Sequence, residues 1–176
     1  MLRALAQIIL SIQLSTQPQT NIPAARVAML ADCIQQQAEY ADVDPLIVVA
    51  IITHESQWNE RAISPDGMDY GLMQVRAAHY GGPASYLLLG ESNIKVGTHT
   101  IKMSKDYCRT KLHREPTTQE WLSVYQGSPA GYKCKPTRLT KQFEDYALCL
   151  QDNVENQAGR NCKAIYWPQM KTKAAK

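Results

Sequence analysis

The chain is nearly without phenylalanine: one Phe stands against nine Tyr and three Trp in 176 residues. Most of its aromatic rings therefore carry a polar handle, which suits core margins and clefts that hold polar, ring-shaped ligands. No apolar run approaches the ~20 residues that a membrane-spanning helix needs. The five cysteines, Cys33, Cys108, Cys134, Cys149 and Cys162, contain neither CxxC nor a paired ligand spacing, which excludes the common zinc and dithiol signatures. There is no internal repeat, so solenoids and propellers are excluded. With 44% hydrophobic and 20% charged residues, the composition is that of a folded globule, not of a disordered or collagenous chain. At 19.7 kDa there is material for one domain and hardly for two, with roughly 70% of the unfolded surface buried on folding.

The net charge of +3 is small, but it is unevenly spread. Residues 1–94 carry 4 basic and 9 acidic side chains, a net of −5, whereas residues 95–141 carry 10 and 3, a net of +7. Such a basic segment either faces an anionic polymer or is a solvated helix face. It contains no nucleic-acid-binding motif, so nucleic acid is not the expected partner. Five cysteines fit an oxidising compartment with one or two disulfides, and an odd count leaves at least one thiol unpaired within the chain. Their connectivity stays open. At the start, Arg3 precedes an apolar stretch from Ala4 to Leu14 broken by Gln7 and Gln13. Residues 1–22 read as a weak export signal without an Ala-x-Ala-like cleavage site, or as an exposed amphipathic segment.

The remainder reads as all-α. A helix is expected from about Ala24 to Tyr40. Asp44-Pro45 then supplies an N-cap and an N1 proline for a second helix. Leu46, Ile47, Val48, Val49, Ile51 and Ile52 make that helix apolar nearly all round, hence central and buried. Asn59, Ser64, Pro65, Asp66 and Gly67 mark a loop. Gly71 to Val75 is expected to open a short helix, and Ser92 to cap a long one running from Asn93 to about Leu112. Thr117-Thr118-Gln119-Glu120 is a capping box. A Gly/Pro-rich loop spans Gly127 to Pro136, and a last amphipathic helix carries Leu139, Phe143, Tyr146, Leu150 and Val154 to near Gly159. The reading is one domain over residues 23–162, with a mobile Lys-rich tail at 163–176.

The chemistry concentrates at Thr53-His54-Glu55-Ser56-Gln57-Trp58-Asn59. Glu55 falls at the C-terminal end of the most hydrophobic helix, where desolvation and the negative end of the helix dipole both disfavour a carboxylate. A glutamic acid with a raised pKa is suited to protonating a leaving group. A Glu turned outward into solvent is the bland alternative. His54-Glu55 does not extend to HExxH, because Trp58 occupies the second histidine position, and no metal site is expected.

Glu55-Ser56, followed by Asn59, Ala62, Ser64 and Gly71-Leu72-Met73-Gln74-Val75, resembles the lytic transglycosylases of the lysozyme superfamily. Asn93-Ile94-x-x-Gly97 is similar to that family's Asn-x-x-x-Gly helix, and Trp121 to Gly127 to its Ala-Tyr-Asn-x-Gly motif. The four motifs run in the family's order over about residues 40–130. Asp69-Tyr70 before Gly71 most resembles the small forms attached to secretion and conjugation machines. Departures are Gln126 for the usual Asn, Val75 for the frequent Ile, and one extra residue between Gly67 and Gly71.

The resemblance implies a lysozyme-like single domain that cleaves the β-1,4 bond after N-acetylmuramic acid in peptidoglycan. It implies Glu55 as the single catalytic acid/base, with Ser56 orienting substrate or carboxyl and the Tyr125 hydroxyl hydrogen-bonded to Glu55. Met73 and Gln74 line the cleft, and Asp69 and Tyr70 lie on its loop. No cofactor is implied, the products are 1,6-anhydro sugars, and the setting is periplasmic or otherwise extracytoplasmic. Secretion- or conjugation-apparatus proteins are the implied partners beside the glycan strands. Two other readings stand beside it: a lysozyme-type hydrolase using Glu55 with Asp69, and a peptidoglycan-binding scaffold without turnover. Trp58, Tyr70 and Tyr80 are further candidates for stacking on sugars, or else core-edge aromatics.

Overall fold

A computed structural model describes residues 2–16, 22–127, 131–156 and 160–166. The first helix, α1 (Leu2–Thr16), buries Leu5, Ile8, Ile9 and Ile12, the one-sided spacing of an amphipathic helix. It packs against α2 (Ala24–Ala41), whose Val27, Leu30, Ala31, Ile34 and Ala38 face the same core. Asp42 closes α2 in the left-handed conformation, φ 53°. Lys105 from a distant helix donates to both the carbonyl and the carboxylate of Asp42, each at 2.6 Å.

At the centre lies α3 (Pro45–Glu55), with Ile47 through Thr53 all buried. Its β-branched residues would suit a strand. The N-terminus decides for helix: the Asp44 carboxylate accepts from the Leu46 N–H at 2.8 Å, and Pro45 sits at the first helical position. A two-stranded antiparallel hairpin follows, β1 (Asp69–Tyr70) and β2 (Val75–Arg76), with Asp69 opposite Arg76 and Tyr70 opposite Val75. Then come α4 (Ala77–Tyr80), a 3-10 turn at Ala84–Leu88, α5 (Gly90–Leu112), α6 (Thr118–Tyr125), a 3-10 turn at Gly131–Lys133, α7 (Arg138–Asn156) and α8 (Cys162–Tyr166).

Two expectations are corrected. Gly71 to Val75 is not the start of a helix: Gly71 to Gln74 is the turn that closes the hairpin, and Val75 opens β2. Gly71 and Gln74 both take positive φ, 74° and 47°, which a right-handed helix cannot hold. Ser92 does not cap α5; the helix begins at Gly90, and the Glu60 carboxylate accepts from the Gly90 N–H at 3.1 Å in place of a local cap. Glu60 is itself held by Arg26, which also pairs with Glu91, so α2, the loop and α5 share one ionic knot.

The cysteines pair as Cys108–Cys134, tying α5 to the segment after α6, and Cys149–Cys162, tying α7 to α8. Cys33 is free, and burial pushes its thiol up to about 11. Lys102, Arg109 and Arg114 pair with acids of the basic segment itself, and two carboxylates from outside it, Asp42 and Asp145, partly offset its charge at Lys105 and Lys141. No helix among the described residues is long and apolar enough to cross a membrane. The mobile tail expected at 163–176 lies outside the described residues beyond Tyr166, as do residues 128–130 of the loop after Gly127.

Candidate active site

Glu55 is the last residue of α3, and its side chain keeps 27% of its surface exposed although seven residues before it are buried. His54 Nδ1 lies 3.4 Å from the Glu55 carboxylate, and the His54 ring meets Phe143 of α7 edge-on at 5.0 Å. The chain then leaves the helix abruptly. Ser56 donates its N–H and its hydroxyl to the Ile52 carbonyl, at 3.1 and 3.2 Å, and its oxygen accepts from the Trp58 N–H at 3.2 Å. The hydroxyl of Ser56 is thus committed to ending α3. Gln57 and Trp58 both take positive φ, 51° and 69°, a conformation that side-chain-bearing residues adopt at an energetic cost. Trp58 is 2% exposed and donates from Nε1 to the Thr53 hydroxyl at 3.0 Å. It is therefore an anchor for the turn and has no face left for a sugar.

The loop motif builds the floor of the next segment. Asn59 Oδ1 accepts from the Arg61 N–H, and the Ser64 hydroxyl accepts from the N–H groups of Met68 and Asp69. The Ala62 carbonyl receives the Gly71 N–H at 2.8 Å and the Gln74 amide at 3.3 Å. Gln74 also donates to the Gly71 carbonyl at 2.9 Å, so its NH₂ braces the turn. Tyr70 is half-buried and donates its hydroxyl to the Gly67 carbonyl at 2.8 Å. Tyr80 stacks on Tyr86 with centroids 5.8 Å apart.

Asn93 on α5 holds this hairpin. Fully buried, it donates to the carbonyls of Tyr70 (2.7 Å) and Leu87 (2.8 Å) and accepts the Met73 N–H at 2.7 Å. Gly71 must lack a side chain because a Cβ would come within 2.1 Å of the Leu87 carbonyl. One turn along α5, a Cβ on Gly97 would sit 2.5 Å from the Met73 sulfur. The Asn-x-x-x-Gly spacing is thus a matched pair: the amide pins the turn and the glycine admits its methionine.

Tyr125, at the end of α6, donates its hydroxyl to the Met73 carbonyl at 3.1 Å rather than to Glu55. Burial raises its pKa far above the usual phenol value, and the negative charges of Glu55 and Asp69 add to that rise. Both carboxylates therefore lie within electrostatic reach of one hydroxyl. Gln126, which stands in place of the usual Asn, leaves its Nε2 buried without a hydrogen-bond partner among the described residues. Asp69 is held from the facing strand by Arg76, Nε to Oδ1 at 2.9 Å and Nη2 to Oδ2 at 3.1 Å. Sequence reasoning passes over Arg76 and reads Asn93 as a motif residue without a role. Their signals were a charge pair in register across a glycine turn, and an amide on the apolar stripe beside Ile94 and Gly97.

A helical domain whose buried central helix ends on a carboxylate, with a small hairpin and a tyrosine of a later helix bonded to its turn, has the lysozyme-like architecture. The Transglycosylase SLT domain model matches residues 32–143, more than half of the chain, and the chain belongs to this family. Its members are peptidoglycan lytic transglycosylases, so this protein is a cell-wall enzyme with peptidoglycan as its substrate. No curated protein and no solved structure matches the chain.

Proposed function

We propose that the enzyme cleaves the β-1,4 bond between N-acetylmuramic acid and N-acetylglucosamine without water, with Glu55 as its single acid/base. The observation that carries this reading is the contrast between the two carboxylates near Tyr125. Glu55 ends a buried helix with its side chain partly open, whereas Asp69 has both oxygens engaged by Arg76. A carboxylate clamped in that way is poorly placed to activate water.

The steps balance without any further reactant. Glu55, protonated, gives its proton to the glycosidic oxygen as the C1–O bond breaks. The carbonyl oxygen of the substrate's 2-acetamido group bonds to C1 and spreads the developing positive charge. Glu55, now a carboxylate, takes the proton of the C6 hydroxyl, whose oxygen attacks C1 and displaces the acetamido oxygen. The product carries a 1,6-anhydro ring, and Glu55 is again protonated. Tyr125, through the Met73 carbonyl, and Asn93, through the Met73 N–H, act as positioning residues for the wall of the cleft. Ser56 and Gln74 support it by fixing the two turns that flank Glu55, and Tyr70 lies on the hairpin beside them.

The two disulfides fit an extracytoplasmic, periplasmic enzyme, and the Asp69-Tyr70 pair favours a role beside a secretion or conjugation apparatus. The test is clearing of purified sacculi by wild type, Glu55→Gln and Asp69→Asn. Loss of clearing in the first variant with retention in the second supports the single-acid scheme. Loss of clearing in both variants supports a hydrolase that uses Glu55 with Asp69, retention of clearing in Glu55→Gln removes Glu55 from the mechanism, and sacculus binding with no release by wild type supports a scaffold.

A further inference from the structure

A second concave site lies on the other flank of α5. Its cavity of about 720 Å³ is formed between α2, α4, the Ala84–Leu88 turn and α5. The lining includes Val75 but none of Glu55, Asp69, Tyr70, Met73, Gln74 or Tyr125. Val75 of β2 lines this cavity, whereas Gln74, the turn residue before it, braces the hairpin through the Ala62 and Gly71 carbonyls. Volumes of this size hold a disaccharide-sized ligand.

The chemistry of the lining narrows the ligand. Tyr80 and Tyr86, stacked nearly parallel at 7°, both line the cavity, and so does Tyr40 from α2, which is 54% exposed. Aromatic faces with phenol edges suit the apolar face of a sugar ring and its hydroxyl rim. Lys95, His79 and His99 line the cavity, and among the described residues no carboxylate does. Lys95 also has no ion-pair partner among the described residues, unlike Lys102, Lys105 and Lys141. A ring-shaped ligand bearing a carboxylate is what this combination complements.

We propose that the groove is an accessory wall-binding site, in which a muramyl unit lays its ring against the Tyr80–Tyr86 pair and its stem peptide sets a carboxylate against Lys95. The choice of ligand rests on peptidoglycan being the substrate; the groove itself does not depend on the role of Glu55. Two weak contacts on one polymer raise residence on the wall without a new catalytic group.

The test is an NMR titration of the isotope-labelled full chain with muramyl dipeptide, and in parallel with N,N′-diacetylchitobiose, which has acetamido rings but no carboxylate. Muramyl dipeptide is expected to shift the signals of Tyr86, Lys95 and His99, and Lys95→Ala to weaken it roughly 5- to 10-fold. Chitobiose is expected to bind at about that weakened level. Tyr86→Ala should weaken both ligands. Both side chains lie on the surface, and the comparison of ligands on wild type stands even if Tyr86→Ala perturbs the fold. Glu55→Gln should leave the groove shifts unchanged, which separates failure here from failure of the single-acid scheme. Shifts confined to the hairpin and the end of α3, or equal affinities for the two ligands with Lys95→Ala silent, would overturn the proposal.

Discussion

The two ends of α3 are built to opposite standards. At the N-terminus, Asp44 caps the Leu46 N–H and Pro45 sets the first turn, so a short apolar segment starts as a helix with its local rules satisfied. At the C-terminus a carboxylate sits where the helix dipole opposes it, and two consecutive residues, Gln57 and Trp58, stand at positive φ. Gln74, across the site in the hairpin turn, is at positive φ as well. The strain is held by buried anchors: Trp58 on Thr53, Ser56 on Ile52 and Asn93 on the hairpin. Folding is specified at one end of the helix, and at the other it is spent on geometry.

Glu55→Gln should lower turnover of sacculi by roughly 100-fold or more, while its thermal midpoint stays close to wild type, because no buried partner is lost. A midpoint that falls sharply would make Glu55 a structural residue. Asn93→Ala removes three hydrogen bonds of one buried amide and should cost about 2–4 kcal/mol in denaturant unfolding; turnover should fall with it, since the hairpin loses its pin. A stable Asn93→Ala enzyme would sever the hairpin from α5 in the account. Arg76→Ala should leave stability nearly unchanged, as the pair is on the surface, but it frees Asp69. A share of reducing-end products should then appear in its digests.

Smaller effects belong to the ordinary caps. Glu120 is buried in the capping box of α6, where the Arg114 guanidinium chiefly holds its carboxyl down at about 2, helped by the Thr117 N–H. Its folded pKa lies below its unfolded value near 4.5, so its contribution is complete above that pH and is lost as pH falls toward 2. Glu120→Gln should therefore cost about 1–2 kcal/mol at neutral pH, and the gap to wild type should narrow in acid. Asp44→Ala should cost about 1 kcal/mol with no change in kcat. Unfolding curves at pH 7 and pH 3 read both.

What was legible in the sequence was local. The Asp44-Pro45 start, the Thr117–Glu120 capping box and the all-round apolar α3 ending on Glu55 are short-range patterns, and the structure holds each of them. The family motifs placed Met73, Gln74 and Tyr125 near one another, and the Tyr125–Met73 bond joins two of them. What was not legible depends on distant partners. Gly71 to Val75 reads as helical until Asn93 supplies bonds to the turn from 20 residues away. Trp58 reads as a stacking face until Thr53 claims its N–H. The +7 of residues 95–141 reads as a basic face until Asp42 and Asp145, both outside that segment, are seen against Lys105 and Lys141. The choice of partners among five cysteines is likewise a property of the packed helices.

The central claim, one acid and no water, is tested most directly by mass spectrometry of the fragments released from purified sacculi. The account predicts muropeptides lighter by one water than their hydrolysed counterparts, from wild type and Asp69→Asn alike. Fully hydrolysed, reducing-end fragments from the wild-type enzyme would contradict it.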